Sequence, residues 1–291
     1  MNGIIIINKP LGKTSHDMVS FMRRITKIKK IGHTGTLDPM AEGVLPICIG
    51  NATKTADMLT AQDKSYIAQL VLGMTTDTLD SEGEILSECE VNCTREEITD
   101  AIMSFVGEIE QIPPMYSAIK QNGKKLYELA RKGVEVERKP RSVTIKKIEI
   151  LDMDMENKTV TISVDCSKGT YIRTLCEDIG TKLKVGAYMN KLLRTKTGRF
   201  NISQAKTVKE IEKMAEEGVL EESLISVDEV FCDMPKITLN EKQTKSVMNG
   251  VRMSWHGERE GQHLRVYSNE GKFICISQVC EGKLHTVKSF R

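Results

Sequence analysis

The chain has 291 residues, 40% of them hydrophobic, which is enough apolar material for one large domain and a smaller second one. No apolar run approaches the roughly 18 residues of a membrane-spanning helix. The longest run, residues 4–7, has neither the basic start nor the length of a signal peptide. Eight cysteines are scattered without a CxxC pair or the cysteine–histidine spacing of a zinc finger. These features predict a reduced, cytoplasmic protein that does not enter a membrane.

The net charge of +2 conceals a strong segregation of charge along the chain. Residues 18–37 carry five Lys or Arg and residues 181–209 carry eight, with no acid in either block. Residues 120–147 carry ten Lys or Arg against three Glu, and the compensating acids lie mainly in residues 77–110 and 210–233. Solvated lysines are ordinary on any surface, but three separate basic blocks favour a polyanion, and hence nucleic acid, as the partner.

Short apolar or alternating runs predict strands, and apolar residues at helical spacing predict helices. In chain order, the predicted elements are a strand at residues 3–7, a helix at 18–25, a strand at 44–49, a helix at 53–61, a strand at 64–72, a helix at 95–105, a short basic helix at 124–132, strands at 143–151 and 159–166, a helix at 171–183, a strand at 187–193 and a helix at 208–217. Pro235 marks a predicted boundary. The elements predicted after it are a helix at 241–249 and strands at 264–268, 273–279 and 284–288, which together indicate a compact, mostly β module.

Local signals refine this outline at three places. Ser15 or Asp17 is predicted to cap the first helix, and Thr94 with Glu97 is predicted to form a capping box. Pro46 has no amide hydrogen to donate, so its strand is predicted to lie at a sheet edge or to carry a bulge.

The least generic stretch is Gly-His-Thr-Gly-Thr-Leu-Asp-Pro at residues 32–39, called here the glycine loop. Glycine admits backbone angles that other residues avoid, and proline fixes its own φ and biases Asp38 toward an extended conformation. The loop is therefore predicted to be rigid and to present one carboxylate. From the residues alone, Asp38 is equally a turn cap or a functional acid, because aspartates in loops often only cap turns.

Other chemistries find little support. His33 and Asp38 could be metal ligands, but the remaining histidines are dispersed, and no metal site is predicted. No GxxxxGK[ST] phosphate loop and no nucleophile elbow occurs. Tyr66 and Tyr171 could stack on a nucleobase, and Arg173 could pair with a carboxylate or a phosphate. Periodicity alone favours core packing for both tyrosines.

Several ordered motifs resemble those of the TruB family of tRNA pseudouridine synthases. The matching segments are residues 3–10 with 14–17, the glycine loop with Glu-Gly-Val-Leu-Pro at 42–46, Asp-Lys-Ser-Tyr at 63–66, residues 73–80, residues 113–127, and Cys-Ser-Lys-Gly-Thr-Tyr-Ile-Arg-Thr-Leu at 166–175. They follow one another in order from residue 3 to about residue 194, which coincidence does not explain.

The resemblance implies an α+β fold with two domains. The first, at residues 1–235, is a pseudouridine synthase catalytic domain on a central mixed or antiparallel sheet with flanking helices. It contains a basic, RNA-gripping insertion at about residues 115–143. The second, at residues 236–291, is a small, mostly β, PUA-like RNA-binding domain.

The implied activity is isomerisation of uridine-55 in the T loop of tRNA to pseudouridine. Within the family's pattern Asp38 falls on the catalytic aspartate. The residues that fall on substrate-binding positions are His33, Tyr66, Tyr171, Arg173 and Leu192. Because isomerisation needs no redox change or group transfer, no cofactor is expected.

The protein is expected to act on the T arm of tRNA as a monomer, without an obligate protein partner. Two alternatives stay open. One is the same chemistry on another RNA, as in related guide-RNA-dependent synthases. The other is an RNA-binding protein or tRNA-folding chaperone, whose binding would tolerate the loss of Asp38.

Overall fold

The computed structural model describes residues 1–121, 123–257 and 259–290, so that Asn122 of the predicted insertion lies outside the described residues. The strands are β1 (Gly3–Lys9), β2 (Ile31–His33), β3 (Ala41–Ile49), β4 (Lys64–Leu72), β5 (Met74–Thr76), β6 (Ile85–Glu88), β7 (Gly107–Gln111), β8 (Lys120–Gln121), β9 (Lys124–Lys125), β10 (Arg141–Asp154), β11 (Thr159–Cys166), β12 (Ala187–Thr197), β13 (Phe200–Asn201), β14 (Lys236–Thr238), β15 (Met253–Ser254), β16 (His263–Tyr267), β17 (Phe273–Cys280) and β18 (Lys283–Ser289). The α-helices are α1 (Ser15–Thr26), α2 (Ala56–Thr60), α3 (Arg95–Met103), α4 (Leu126–Ala130), α5 (Ile172–Lys182), α6 (Val208–Glu216), α7 (Val227–Val230) and α8 (Glu241–Met248).

The larger sheet has the strand order β1-β3-β12-β4-β11-β10-β7, with β2 beside β3 and β13 beside β12. Its neighbouring strands run antiparallel, except where residues 192–194 of β12 run parallel to residues 41–43 of β3. The predicted α+β fold on a central mixed sheet is therefore confirmed. The parallel contact brings the end of β12 beside the glycine loop.

Alternation of side chains along the strands gives this sheet two apolar faces. Ile5 and Ile7 of β1 join a buried cluster with residues of α1, α5 and α6. Ile4 and Ile6 join a second cluster with residues of α2 and α7. Both faces of the sheet are therefore covered.

The C-terminal strands form a separate sheet, in the order β14-β16-β17-β18-β15. Ile276 of β17 is fully buried in the cluster that contains Ile4 and Ile6, so this sheet packs on the second face of the larger one. Lys288 of β18 adds an ion pair to Asp57 of α2 at 2.7 Å. A shared apolar core therefore joins the two sheets.

The predicted cap of the first helix is wrong. The N-cap is Thr14, whose hydroxyl accepts from the Asp17 amide at 3.0 Å, while the Asp17 carboxylate accepts from the Thr14 amide at 2.8 Å. This reciprocal capping box uses two free amides of the helix start, and its backbone hydrogen bond lowers the pKa of Asp17. Ser15 is instead buried against the glycine loop. The capping box of Thr94 and Glu97 is confirmed.

The prediction that Pro46 marks a sheet edge or a bulge is also wrong. Its strand β3 is paired on both sides and keeps a regular register against β1. On the other side, pairing with β12 ends at Gly43 and pairing with β2 begins at Ile47. Pro46 lies in this gap, where no ladder amide is needed.

The sequence patterns do not predict β2, β7 or the hairpin of β5 and β6. β6 contains two adjacent apolar side chains, both exposed, and β7 contains one, so neither has the apolar run or the repeated alternation that marks a strand. No helix among the described residues is both long and apolar enough to cross a bilayer.

Candidate active site

The glycine loop is fastened on the N-terminal side of Asp38 by two distant side chains. Arg194 of β12 donates to the Gly35 carbonyl at 3.1 Å and to the Thr36 carbonyl at 3.4 Å. Ser15 of α1 accepts from the Leu37 amide at 2.8 Å and donates to the Leu37 carbonyl at 3.1 Å. The loop backbone is therefore held by tertiary contacts as well as by its own glycine and proline residues.

The C-terminal side of Asp38 is fastened by β1 and the turn after it. The Ala41 amide donates to the Asp38 carbonyl at 3.1 Å, and the Gly12 amide donates to the Pro39 carbonyl at 2.9 Å. The Nζ atom of Lys9, a fully buried residue, also donates to the Pro39 carbonyl, at 3.3 Å. Burial lowers the pKa of Lys9 to about 8. Both flanks of the carboxylate-bearing residue are thus fixed.

Close approach of β3 to β12 requires glycine at position 43. Gly43 has a φ of +106°, and a Cβ atom there would lie 2.2 Å from the carbonyl oxygen of Arg194. A side chain at this position would push β12 away from β3, because the obstructing atoms belong to the backbone. The Arg194 guanidinium would move with its strand.

Arg173 of α5 connects Asp38 to a second acid, Asp80. Its guanidinium lies 3.0 Å from the Asp38 carboxylate and 3.2 Å from the Asp80 carboxylate. The same two terminal nitrogens donate to the carbonyls of Thr78 at 3.2 Å and Tyr116 at 2.8 Å. A planar guanidinium suits such a fixed, forked arrangement. Arg173 is therefore beside Asp38.

The two acids differ in exposure. The Asp38 side chain is 37% exposed, whereas that of Asp80 is 4% exposed. Desolvation by the surrounding protein raises the pKa of Asp38, the Arg173 guanidinium opposes this rise, and the Asp80 charge adds to it. The net direction is upward, so Arg173 offsets the desolvation only in part. A partly exposed acid whose pKa is raised by desolvation, beside a specific charged partner, is typical of a functional site.

Tyr66, Leu192 and Arg194 share one face of the sheet. Tyr66 of β4 pairs with Arg194 of β12, and Leu192 pairs with Ala68 two residues further along β4. Both Tyr66 and Leu192 are buried in the same apolar cluster as Ile5 and Ile7. Burial raises the pKa of Tyr66, the Arg194 charge opposes that rise, and the Asp38 charge adds to it. The Tyr66 hydroxyl therefore lies within electrostatic reach of Asp38.

Tyr171 is the N-cap of α5, two residues before Arg173. Its amide donates to the side-chain oxygen of Gln111 at 3.0 Å, and the Gln111 amide group donates to the Tyr171 carbonyl at 3.2 Å. Burial raises the pKa of Tyr171, and the Arg173 charge is among those that oppose the rise. The end of β7 thus fixes the start of the helix that carries Arg173.

His33 ends β2 and stands next to the buried Thr34 at the start of the glycine loop. Burial lowers the pKa of His33, and the nearby Arg194 charge lowers it further, so the ring is largely neutral at pH 7. Its Nδ1 atom is buried without a hydrogen-bond partner among the described residues. Within residues 1–121, 123–257 and 259–290, no group of three or more His, Cys, Asp or Glu side chains is placed to hold a metal ion.

Three buried charged residues at this site are not singled out by the sequence patterns: Lys9, Asp80 and Arg194. Arg194 had a usable signal, because it follows Leu192 at a spacing of two on a strand and so shares its face. Lys9 follows directly on an apolar strand. Asp80 lies in a polar turn, where periodicity carries no information.

The basic blocks predicted from the sequence lie largely on the surface. The exposed cations at the end of α1 and in the turn after it are Arg23, Arg24, Lys27, Lys29 and Lys30. The exposed cations of the predicted insertion are Lys120, Lys124, Arg131, Lys132, Lys139 and Arg141. These side chains are accessible to a polyanion.

Three family models match consecutive parts of the chain. Residues 23–172 match the N-terminal domain of the TruB family of pseudouridylate synthases. Residues 173–232 match the C-terminal domain of tRNA pseudouridylate synthase B, and residues 235–286 match the C-terminal part of pseudouridine synthase II TruB.

Curated relatives are similar over almost the whole chain. A tRNA pseudouridine synthase B from Clostridium perfringens (strain 13 / Type A) is 48% identical over 284 residues, which are 96% of this chain and 95% of that protein. The one from Clostridium kluyveri is 45% identical over 294 residues and 100% of both chains. The one from Alkaliphilus oremlandii is 51% identical over 253 residues, 87% of this chain and 83% of the other.

Solved structures share the fold at lower identity. A chain in the structure of an H/ACA RNP bound to a substrate RNA containing 2'-deoxyuridine superposes with a TM-score of 0.74 at 22% identity, covering 99% of this chain and 85% of the other. A chain of the archaeal box H/ACA sRNP Nop10-Cbf5 complex gives a TM-score of 0.73 at 24% identity, with 99% and 86% covered. These likenesses concern the fold alone.

Proposed function

The chain belongs to the TruB family of pseudouridylate synthases and is an isomerase, and from this premise we propose that it converts uridine-55 in the T loop of tRNA to pseudouridine. One observation carries the proposal: the Asp38 carboxylate, partly exposed in a fixed loop, is bound to the buried guanidinium of Arg173. The names of the curated relatives support tRNA as the substrate.

The reaction breaks the N1–C1′ bond of uridine, turns the uracil and joins C5 to C1′; C5 then gives up its hydrogen as a proton and N1 takes up a proton. In our proposal Asp38 is the catalytic residue, because an ionised carboxylate can attack the sugar carbon or the base, or stabilise positive charge that develops at C1′. Arg173 holds that carboxylate in place and opposes the desolvation that raises its pKa. No atom is gained or lost, so the residues of the chain suffice for the chemistry.

The target base must leave its stack, which costs a few kcal/mol. We assign Tyr66 to stack on the extruded base, and Tyr171 and Leu192 to wall the pocket around it. Tyr66 and Leu192 are neighbours on one face of the sheet, and Tyr171 begins the helix of Arg173, so these side chains approach from two sides. His33, whose buried Nδ1 atom has no hydrogen-bond partner in the described part of the chain, is assigned to fill or support the space that the base vacates.

We assign RNA contacts to the basic surface. The insertion at about residues 115–143 presents exposed cations and is the proposed grip on the T arm. Residues 1–235 form the proposed catalytic domain, and residues 236–291 form the proposed PUA-like domain, whose sheet begins with β14 at Lys236. We further propose that the protein acts as a monomer in the cytoplasm without an obligate protein partner.

The direct test uses the purified protein and a T-arm stem-loop transcript. Asp38→Asn should abolish pseudouridine formation while leaving RNA binding within a few-fold of the wild type. Unchanged activity in this variant would refute the role of Asp38. Activity confined to another RNA would favour the alternative substrate, and binding with no pseudouridine in wild-type reactions would favour the RNA-binding or chaperone alternative. Mapping pseudouridines in tRNA from cells that lack the protein would test position 55.

A further inference from the structure

Arg194 is a fully buried cation that forms no ion pair with a carboxylate of the described residues. Its side chain is one of the largest that are almost completely shielded from solvent. Its donors reach carbonyl oxygens instead: Nε donates to Val44 at 2.7 Å, and the terminal nitrogens donate to Gly35 and Thr36. Burying a charge without a counter-ion is costly, so support of a loop does not by itself account for a cation here.

The charge of Arg194 is directed at the reacting groups. The guanidinium lies against the Tyr66 hydroxyl and favours the ionised forms of both Tyr66 and Asp38. The charged groups that face Asp38 are Arg173, Asp80, Lys9 and Arg194. Those that face Tyr66 are Arg194 and Asp38. Among the residues that the structure describes, Arg194 is the only positively charged group that faces both Asp38 and Tyr66.

We propose that Arg194 is a positioning residue for the isomerisation, holding the glycine loop in place and setting a fixed positive charge behind both Asp38 and Tyr66. The inference rests on the proposed function, because it gives Arg194 a part in the same reaction. Arg173 contacts the Asp38 carboxylate directly, whereas Arg194 acts through the loop backbone and through its field. A base that binds beside Asp38 displaces water and so strengthens that field.

The test compares three variants of the full chain. Arg194→Met removes the charge and the forked donors, and Arg194→Lys keeps the charge but loses the fork. Arg199→Met is the matched control, because Arg199 lies in the turn directly after β12 and donates to the carbonyls of Glu229 and Val230, both at 2.8 Å, away from the site. Measurements are the single-turnover rate of pseudouridine formation on a T-arm stem-loop, the affinity for that RNA, and thermal unfolding.

Arg194→Met should lower the single-turnover rate about 100-fold, the size of effect that a misplaced catalytic group produces. Its RNA affinity should stay within about threefold of the wild type, and Arg199→Met should keep the wild-type rate. Arg194→Lys should recover part of the rate. A wild-type rate in folded Arg194→Met, or a loss confined to RNA affinity, would overturn the proposal. If Arg194→Met does not fold, a wild-type rate in Arg194→Lys would overturn it.

A second measurement does not depend on the RNA substrate. The pKa of Asp38, followed by carbon-detected NMR titration, should rise in Arg194→Met and stay near its wild-type value in Arg194→Lys and Arg199→Met. If Arg194 acted only as a support for the loop, Arg194→Lys, which also loses the fork, should move the pKa of Asp38 as far as Arg194→Met does, and that result would overturn the charge-setting part. Absence of pseudouridine in wild-type reactions would instead count against the proposed function, while the titration would still test Arg194.

Discussion

Replacing Asp80 with asparagine isolates the charge behind Arg173. One carboxylate oxygen of Asp80 accepts from the Thr78 hydroxyl at 2.6 Å and from the Glu82 amide at 3.1 Å, and the other lies 3.2 Å from Arg173. Asparagine has a single acceptor oxygen, so it serves either the turn or the guanidinium but not both. The side-chain NH2 group of asparagine would then face either the Arg173 guanidinium or the Glu82 amide, both of which are hydrogen-bond donors.

The expected cost follows from the burial of both partners. Breaking a buried ion pair by removing one member destabilises a protein by about 3–5 kcal/mol. Arg173 would keep Asp38 and two carbonyl partners, so we expect the lower end, about 3 kcal/mol. Asp77→Asn is the matched control, because Asp77 accepts from the Glu84 amide at 2.8 Å in the same turn. It should cost less than about 1 kcal/mol.

Asp80→Asn should also shift the pH dependence of the reaction rate in a defined direction. The negative charge of Asp80 raises the pKa of Asp38, so its loss should lower that pKa. If ionised Asp38 is the reactive form, the acidic limb of the rate profile should move to lower pH, although the maximal rate falls as Arg173 loses its support. Urea unfolding and the single-turnover rate between pH 5 and 8 would measure both effects. A free energy of unfolding within about 1 kcal/mol of wild type, or a limb that moves to higher pH, would refute the reasoning.

Three further changes test the loop, its acid and the joint between the sheets. Gly43→Ala should destabilise by about 3–5 kcal/mol, because a Cβ atom 2.2 Å from the Arg194 carbonyl must separate two paired strands; urea unfolding near the wild-type midpoint would contradict this. Asp38→Asn should raise the unfolding temperature at pH 7. The folded pKa of Asp38 is above its unfolded value of about 4, so stability falls as pH rises through that window, and the gain should vanish near pH 4. An Asp38→Asn variant that is less stable than the wild type at pH 7 would show that the ionised Asp38 carboxylate does not destabilise the folded state. Ile276→Ala should lose about 2–5 kcal/mol in urea unfolding, with the exposed Ile85→Ala as the neutral control; equal midpoints would show that the shared core is not needed.

The long periodic elements of this chain are well predicted from sequence, because their signals are local. The strand at β4 is predicted with the bounds that the structure has, since its apolar face alternates strictly. The cap of α1 is misassigned to Ser15 or Asp17 in place of Thr14, because all three are good caps and only tertiary contact decides among them. Ser15 is drawn into the glycine loop by the Leu37 backbone, which leaves Thr14 to cap.

The site was predictable where a motif carried it and hidden where topology assembled it. Asp38 and Arg173 are 135 positions apart, and only the family resemblance joined them before the structure placed them at 3.0 Å. Asp80 lies in a matching segment and Arg194 shares a strand face with Leu192, but neither signal indicated a role for these residues, because their importance arises from what surrounds them. A buried charge is conspicuous in three dimensions and ordinary in a sequence.

The two arginines explain together why the glycine loop must be stiff. Arg173 opposes the desolvation of Asp38 from α5, and Arg194 does so from β12, yet the pKa of Asp38 remains raised. The carboxylate is therefore balanced between burial and opposing charges, and the interactions with those charges depend steeply on distance at low effective dielectric. A small displacement of the loop would change that balance and the protonation of Asp38 with it. Hydrogen bonds from Arg194, Ser15 and Lys9 to the loop backbone prevent such a displacement, so the same contacts that fix position also fix charge.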